Sequence, residues 1–282
     1  MRRTKLNLLL YLISVGFFSL LRWIWKAKKR ILIYALSVGA LLLLWWLASL
    51  TLPVLFSNPL AQKVVPGPAE VLSVFAQEWP RMWEHMLNSG LRVLWGLLLA
   101  MAIAVPAGLM VGFEPLLNQI VSPLIYLTYP VPKVVLLPIL FVLFNLEDGS
   151  RIALITLVLT FQILLSTRDA ARNVAANHVL SVRSAGANRW QLYRHVVLPA
   201  SLPSILTAAR VSIGLAFAAL YLAETFVKPR YGIGKYLNEA YSLNGYTRMM
   251  AGILAMGLLG FIFYIALNAL ERVLCRWKFR GG

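Results

Sequence analysis

Apolar residues arrive along this chain in long, almost unbroken runs, and polar residues gather in the stretches between them. Six runs are clearest, at residues 31–52, 88–113, 119–143, 151–167, 204–227 and 249–271. Each is close to the ~20 residues that a helix needs to cross a hydrocarbon core about 30 Å thick. Lipid offers no partner to an open backbone donor or acceptor, so such runs must satisfy themselves as helices. The alternation of a lipid-facing barrel strand is absent. The pattern therefore predicts an all-α, polytopic membrane helix bundle of about six transmembrane helices.

Two stretches depart from it. Residues 6–25, LNLLLYLISVGFFSLLRWIW, are long enough to span, yet Asn7, Tyr11, Ser14 and Arg22 fall near one helical face and Trp23 and Trp25 suit a headgroup region. This predicts a helix lying in the membrane interface, with a seventh span as the other reading. A cleaved signal peptide is disfavoured, because the basic run KAKKR follows and no small-x-small site does. The second stretch, 168–203, is polar and basic but sets Val179, Val182, Ala185, Trp190, Tyr193 and Val197 at helical spacing. It predicts two short helices bent at Gly186. The connections 145–150 and 228–247, the latter with Gly232, Gly234 and Gly245, read as ordinary turns.

Charge orients the bundle. Of 282 residues 60% are hydrophobic and 13% charged, far from soluble usage. A formal net charge of +17 would in a soluble protein suggest nucleic acid, so the placement of the charge decides. Eight basic residues precede the first span, five (Arg168, Arg172, Arg183, Arg189, Arg194) lie between the fourth and fifth, and four end the chain, making 17 of the 27 Lys and Arg. One topology puts all of them on one side, and the positive-inside rule makes that side the cytoplasm, with both termini inside. Nucleic acid is not needed to explain the charge. Cys275 is the single cysteine, which excludes an internal disulfide and a Cys-based zinc site, and His85, His178 and His195 have no metal-ligand spacing.

From Leu180 the second unusual stretch reads LSVRSAGANRWQLYRHVVLPASLPSILTAAR. This resembles the signature loop of bacterial ATP-binding-cassette importer permeases: Glu-Ala-Ala, three residues, Gly, nine residues, an aliphatic, one residue, Leu-Pro. Gly186, Val196, Leu198 and Pro199 match without a gap, whereas Leu180, Ser181 and Val182 stand for Glu-Ala-Ala, so a salt bridge made by that Glu is not carried over. The similarity runs from about residue 64 to 271 and, among type I permeases, points to those serving sulfonate, taurine and nitrate uptake. It includes VPGPAEVLSVF from Val65, Arg92, Gly96, Gly108 and Gly112 in the second span, Pro130, Pro132, Lys133 and Pro138 in the third, and Ala223-Glu224 followed by Gly232 and Gly234 at the end of the fifth.

The resemblance implies a permease subunit of the bacterial inner membrane. Its ATPase-coupling loop would comprise Arg183, Ser184, Ala185, Gly186, Ala187, Asn188, Arg189, Trp190, Leu198 and Pro199. The implied partners are ATP-binding-cassette ATPase subunits, an extracytoplasmic substrate-binding protein that delivers a small solute such as a sulfonate, taurine or nitrate, and a second permease copy in a homodimer. ATP-Mg would be bound by the ATPase, with no cofactor in this chain. Residues 1–30 would form a basic N-terminal segment and 31–282 the permease domain, with a type I core at about 86–271 and the coupling loop at 168–203. Physically, such a loop must be a rigid protrusion, which a glycine turn and aromatic anchors can supply.

The residues agree that ATP is hydrolysed elsewhere: Gly234-Lys235 lacks the upstream glycine and the following Ser or Thr of a phosphate-binding loop. Arg92, Arg210 and Glu224 lie in or near apolar runs, where an ionisable group is costly and faces a bundle interior or water. Glu224, Tyr221 and Arg210 are candidates for a substrate path; structural hydrogen bonding explains Glu224 equally well and is preferred for the arginines. Gly108 and Gly112, and Gly252, Gly257 and Gly260, suit close helix packing. An intramembrane enzyme would need a nucleophile and base at depth, and the spans hold none. A secondary transporter or a membrane scaffold remains the alternative from another class.

Overall fold

The computed structural model describes residues 32–56 and 64–279, and the interfacial helix expected at 6–25 lies outside them. Two compact units divide between Leu72 and Ser73. In the first, helix α1, Leu32–Leu55, has a mean hydropathy of 2.1 over its most apolar stretch. Its Trp45 indole donates to the Pro66 carbonyl at 3.1 Å, tying the chain beyond the span back to it. Helix α2, Pro68–Gln77, runs across the division.

The first helix wholly within the second unit is α3, Trp79–Phe113, whose 35 residues make a helix about 52 Å long. It starts nine residues before the apolar run at 88, because Arg81, Glu84 and His85 extend it into the polar region that hydropathy does not register. The third apolar run is not one helix. It forms α4, Pro115–Thr128, a 3-10 turn Lys133–Leu136 and α5, Leu137–Phe144. The two halves meet at 80°. Pro130 and Pro132 lack backbone donors and disfavour helical backbone at the residue before them, so the chain breaks here.

Helix α6, Asp148–Arg172, shows that the broken pair crosses the bilayer. It packs along α3 in parallel: a Cβ on Gly96 would meet Ile155 at 2.5 Å, one on Gly108 would meet Thr167 at 2.6 Å, and one on Gly112 would strike the Arg168 carbonyl. Two neighbouring helices that run the same way require one return crossing between them, and only α4 and α5 supply it. The glycines of the second span are thus contacts within one chain, which bring the helix backbones together. Leu137 and Phe141 of α5 bury themselves against Leu154 of α6 and Ala219 and Ala223 further on.

After Arg172 come α7, Ala176–Ser184, and α8, Arg189–Leu192. A π-helical turn, Tyr193–Val197, joins α8 directly to α9, Leu198–Val211, which continues after Ser212 as α10, Ile213–Phe226. The non-spanning connection is therefore shorter than 168–203, and Pro203 sits inside a helix. The π turn lets Leu198 bond the Tyr193 carbonyl one residue further back, easing the chain past Pro199. A surface helix α11, Ile233–Ser242, precedes the last crossing, α12, Tyr246–Leu274, and a final turn, α13, Arg276–Phe279. With the broken pair counted once, the described residues hold six spans, and they contain no strand.

Candidate functional site

The α7–α8 hairpin is built from local rules. Gly186 has φ 86°, and the turn closes with Gly186 N–H to Arg183 O at 3.0 Å and Ala187 N–H to Val182 O at 3.3 Å. That pair of bonds is the Schellman ending, which favours glycine because the left-handed backbone crowds a Cβ. Asn188 then caps α8: its side chain accepts from Gln191 N–H at 2.9 Å, while the Gln191 side chain accepts from Asn188 N–H at 2.8 Å. The expected bend at Gly186 is present, and the Asn-x-x-Gln box that starts the next helix was legible but unread.

The aromatic pair divides its work. Tyr193 turns inward, edge-on to Phe113 with ring centroids 5.2 Å apart, and its hydroxyl donates to Glu114 at 3.2 Å. Trp190 is 70% exposed. Arg183, Ser184, Ala185, Gly186, Asn188 and Arg189 are also exposed, whereas Leu198 and Pro199 are half-buried at the start of α9. Arg189 lies 3.7 Å from Glu114, so the corner between α3 and α4 fixes the hairpin from two sides. Beside it opens an apolar cavity of about 940 Å³, walled by Pro106, Met110, Leu116 and Leu117.

A charged cluster sits at the other end of the unit. Glu224 has no exposure, and its carboxylate accepts from Arg92 at 2.6 Å, Ser89 at 2.8 Å and Gly234 N–H at 2.7 Å. Arg92 also donates to Asp148 at 2.8 Å and to the Tyr231 carbonyl at 2.8 Å. A Cβ on Gly232 would come within 2.6 Å of the Glu224 carboxylate, and one on Gly234 within 2.8 Å of its side chain, so those glycines permit the close approach. His85 Nδ1 lies 2.8 Å from Gly232 O. The cluster binds α3, α6 and α10 to the loop before α11. Nearby, Glu78 accepts from Tyr236 at 2.8 Å and from Arg248 at 2.9 Å. Burial and the hydrogen bond to Glu78 push the Tyr236 phenol up to about 12, so it stays a neutral donor.

The three residues expected along a substrate path do not come together. Glu224 is enclosed by the Arg92 cluster. Arg210 lies 14 residues earlier on the same helical run, about 21 Å away along it, and pairs with Glu271 at 2.8 Å and Asn268 at 3.0 Å. Tyr221 is partly exposed on α10. The preference for structural roles at Arg92 and Arg210 agrees with these contacts. What sequence reasoning missed are the partners: Ser89, Asp148 and Glu271 lie far away in the chain.

The described residues thus form a polytopic bundle with an exposed glycine-turn hairpin between its fourth and fifth spans. Residues 104–276 match the family of binding-protein-dependent transport system inner membrane components, and the chain belongs to that family. It is the permease subunit of an ATP-binding-cassette importer, a multi-pass membrane protein. It is 30% identical over 196 residues to the taurine transport system permease protein TauC of Escherichia coli (strain K12), covering 70% of this chain and 71% of that one. It is 31% identical to the putative ABC transporter permease protein MJ0413 of Methanocaldococcus jannaschii, over 69% of this chain and 73% of that one. The putative aliphatic sulfonates transport permease protein SsuC of Escherichia coli is 28% identical, with 78% and 84% covered. In fold the chain is similar to a structure of the MetNI methionine ABC transporter in an inward facing conformation, with a TM-score of 0.60 and 20% identity over 69% of this chain and 98% of that one.

Proposed function

We propose that the α7–α8 hairpin, Arg183 to Trp190 with Leu198 and Pro199 behind it, seats in a separate cytosolic ATPase and carries its closure into the spans. The observation that carries this reading is Trp190, 70% exposed on a hairpin that Tyr193 and Glu114 hold rigid. A large aromatic on a fixed mount is an interface anchor without an interface in its own chain. ATP-Mg belongs to that partner, and this chain supplies no phosphate-binding loop. An extracytoplasmic binding protein delivers the solute, a small molecule such as a sulfonate, taurine or nitrate. A second copy of the chain completes the path; Gly214 and Gly257 have no neighbour within 4 Å and leave room for a close helix approach. Both termini and the hairpin face the cytoplasm, and residues 86–271 form the working core.

Two measurements test this. A cysteine at Asn188, in a background with Cys275 replaced, should resist membrane-impermeant reagent in intact spheroplasts and react once the membrane is opened. Efficient labelling from outside would reverse the orientation and end the coupling role. The purified chain alone should hydrolyse ATP no faster than a mock preparation, with turnover appearing on addition of the ATPase.

A further inference from the structure

The break in the third span places a lysine at depth. Lys133 opens the 3-10 turn, and its ammonium lies 4.3 Å from the centroid of the Phe161 ring and 5.4 Å from that of Tyr129. Phe161 is 13 residues into α6, about 20 Å from its outer end, so the charge sits near the middle of the bilayer. The ammonium donates to the carbonyls of Thr128 at 2.8 Å and Tyr129 at 2.5 Å, both at the end of α4. No Asp or Glu pairs with it among the described residues. The buried or half-buried arginines Arg92, Arg151, Arg168 and Arg210 each have a carboxylate: Arg92 has Glu224 and Asp148, Arg151 has Asp148, Arg168 has Asp169 and Arg210 has Glu271.

An intramembrane cation without a counter-charge is costly and faces water or a passing ligand. A polar contact leads from this site to a cleft. The Tyr129 hydroxyl donates to Gln162 at 3.1 Å, and Gln162 borders an open cleft of about 530 Å³ whose wall mixes Ser166, Ser204, Thr207 and Lys278 with Pro203, Ala208 and Val211. Thr207 is also within 3.4 Å of Arg210, which together with Lys278 meets the carboxylate of Glu271. We propose that Lys133 is the anion-binding group of the solute pathway, receiving the oxyanion head of a small sulfonate, carboxylate or nitrate-like solute and passing it along the Gln162 cleft toward the cytoplasm. The inference rests on the transport reading above and adds the residue that receives the solute's oxyanion. Two of the ammonium's three donors hold the broken helix end, and the third is left for an oxyanion.

The competing role is a cap on α4 alone, and charge separates the two. Lys133→Gln keeps a donor for the carbonyls and removes the charge; Lys133→Arg keeps the charge. The complex of this chain with its ATPase is reconstituted in proteoliposomes, with its binding protein outside and ATP inside, and given labelled ethanesulfonate, with riboflavin as the neutral probe. Wild type and Lys133→Arg should import ethanesulfonate, and Lys133→Gln should import it about tenfold or more slowly, with membrane abundance and ATPase retention unchanged. Lys133→Gln uptake equal to wild type, or loss of abundance in both variants, would leave capping as the explanation. Wild-type import of riboflavin and not of ethanesulfonate would overturn the anion assignment and keep the transport reading. Import of neither probe, nor of labelled taurine or nitrate, by a complex that hydrolyses ATP would overturn the anion assignment and keep the transport reading.

Discussion

Arg92→Met is expected to cut the amount of folded, membrane-inserted protein severalfold and to lower its thermal midpoint in detergent. The substitution removes four donor contacts at once: to Glu224, twice to Asp148, and to the Tyr231 carbonyl. Asp148 is more than half exposed and recovers water, but Glu224 is enclosed and keeps only Ser89 and the Gly234 N–H. Stranding one partner of a buried ion pair costs about 3–5 kcal/mol, most of it from the charge left behind. Arg92→Lys should fall between, since a single ammonium cannot serve the three acceptors that the guanidinium fork reaches. Arg92→Met combined with Glu224→Leu should recover part of the loss, because the stranded charge is gone. Size-exclusion recovery after heating measures all three. An Arg92→Met midpoint equal to that of the parent would remove the cluster from the list of things that hold these helix ends together.

Gly186→Val should abolish transport while sparing insertion. At φ 86° a β-branched residue is strained by on the order of 1–2 kcal/mol, and nothing lies within 4 Å of a Cβ there, so the damage is to backbone conformation and not to packing. The relaxed turn would re-aim α8 and with it Trp190, about a turn away. Trp190→Ala tests the same surface without touching the turn. Loss of a central aromatic anchor costs about 2 kcal/mol or more of binding, which should lower retention of the ATPase by more than about tenfold. Tyr193→Phe should be milder, since it loses one hydrogen bond to Glu114 and keeps the ring on Phe113. Membrane abundance, ATPase co-purification and uptake are read together. Normal retention and uptake in both Gly186→Val and Trp190→Ala would end the coupling assignment, and lost insertion in both would make the hairpin a folding element.

The amino-acid sequence by itself determined the class of fold, because crossing a membrane is a property of one segment at a time: about 20 apolar residues must satisfy their own backbone wherever they sit. It determined the bend at Gly186 for the same reason, since a left-handed turn needs a local residue and not a distant partner. The glycine contacts of the second span were half legible: the spacing marked a close approach, and only the tertiary structure identified α6 as the helix approached. The pairings were closed to sequence. Ser89 meets Glu224 across 135 residues and Arg92 meets Asp148 across 56, and no periodicity encodes which of several polar residues in separate helices will share one buried space. The third span shows the boundary most clearly. Pro130 and Pro132 announced a break, but the 80° angle, and with it the placement of Lys133 over Phe161, came from packing against a helix that runs parallel to α3 and forces the chain to cross between them.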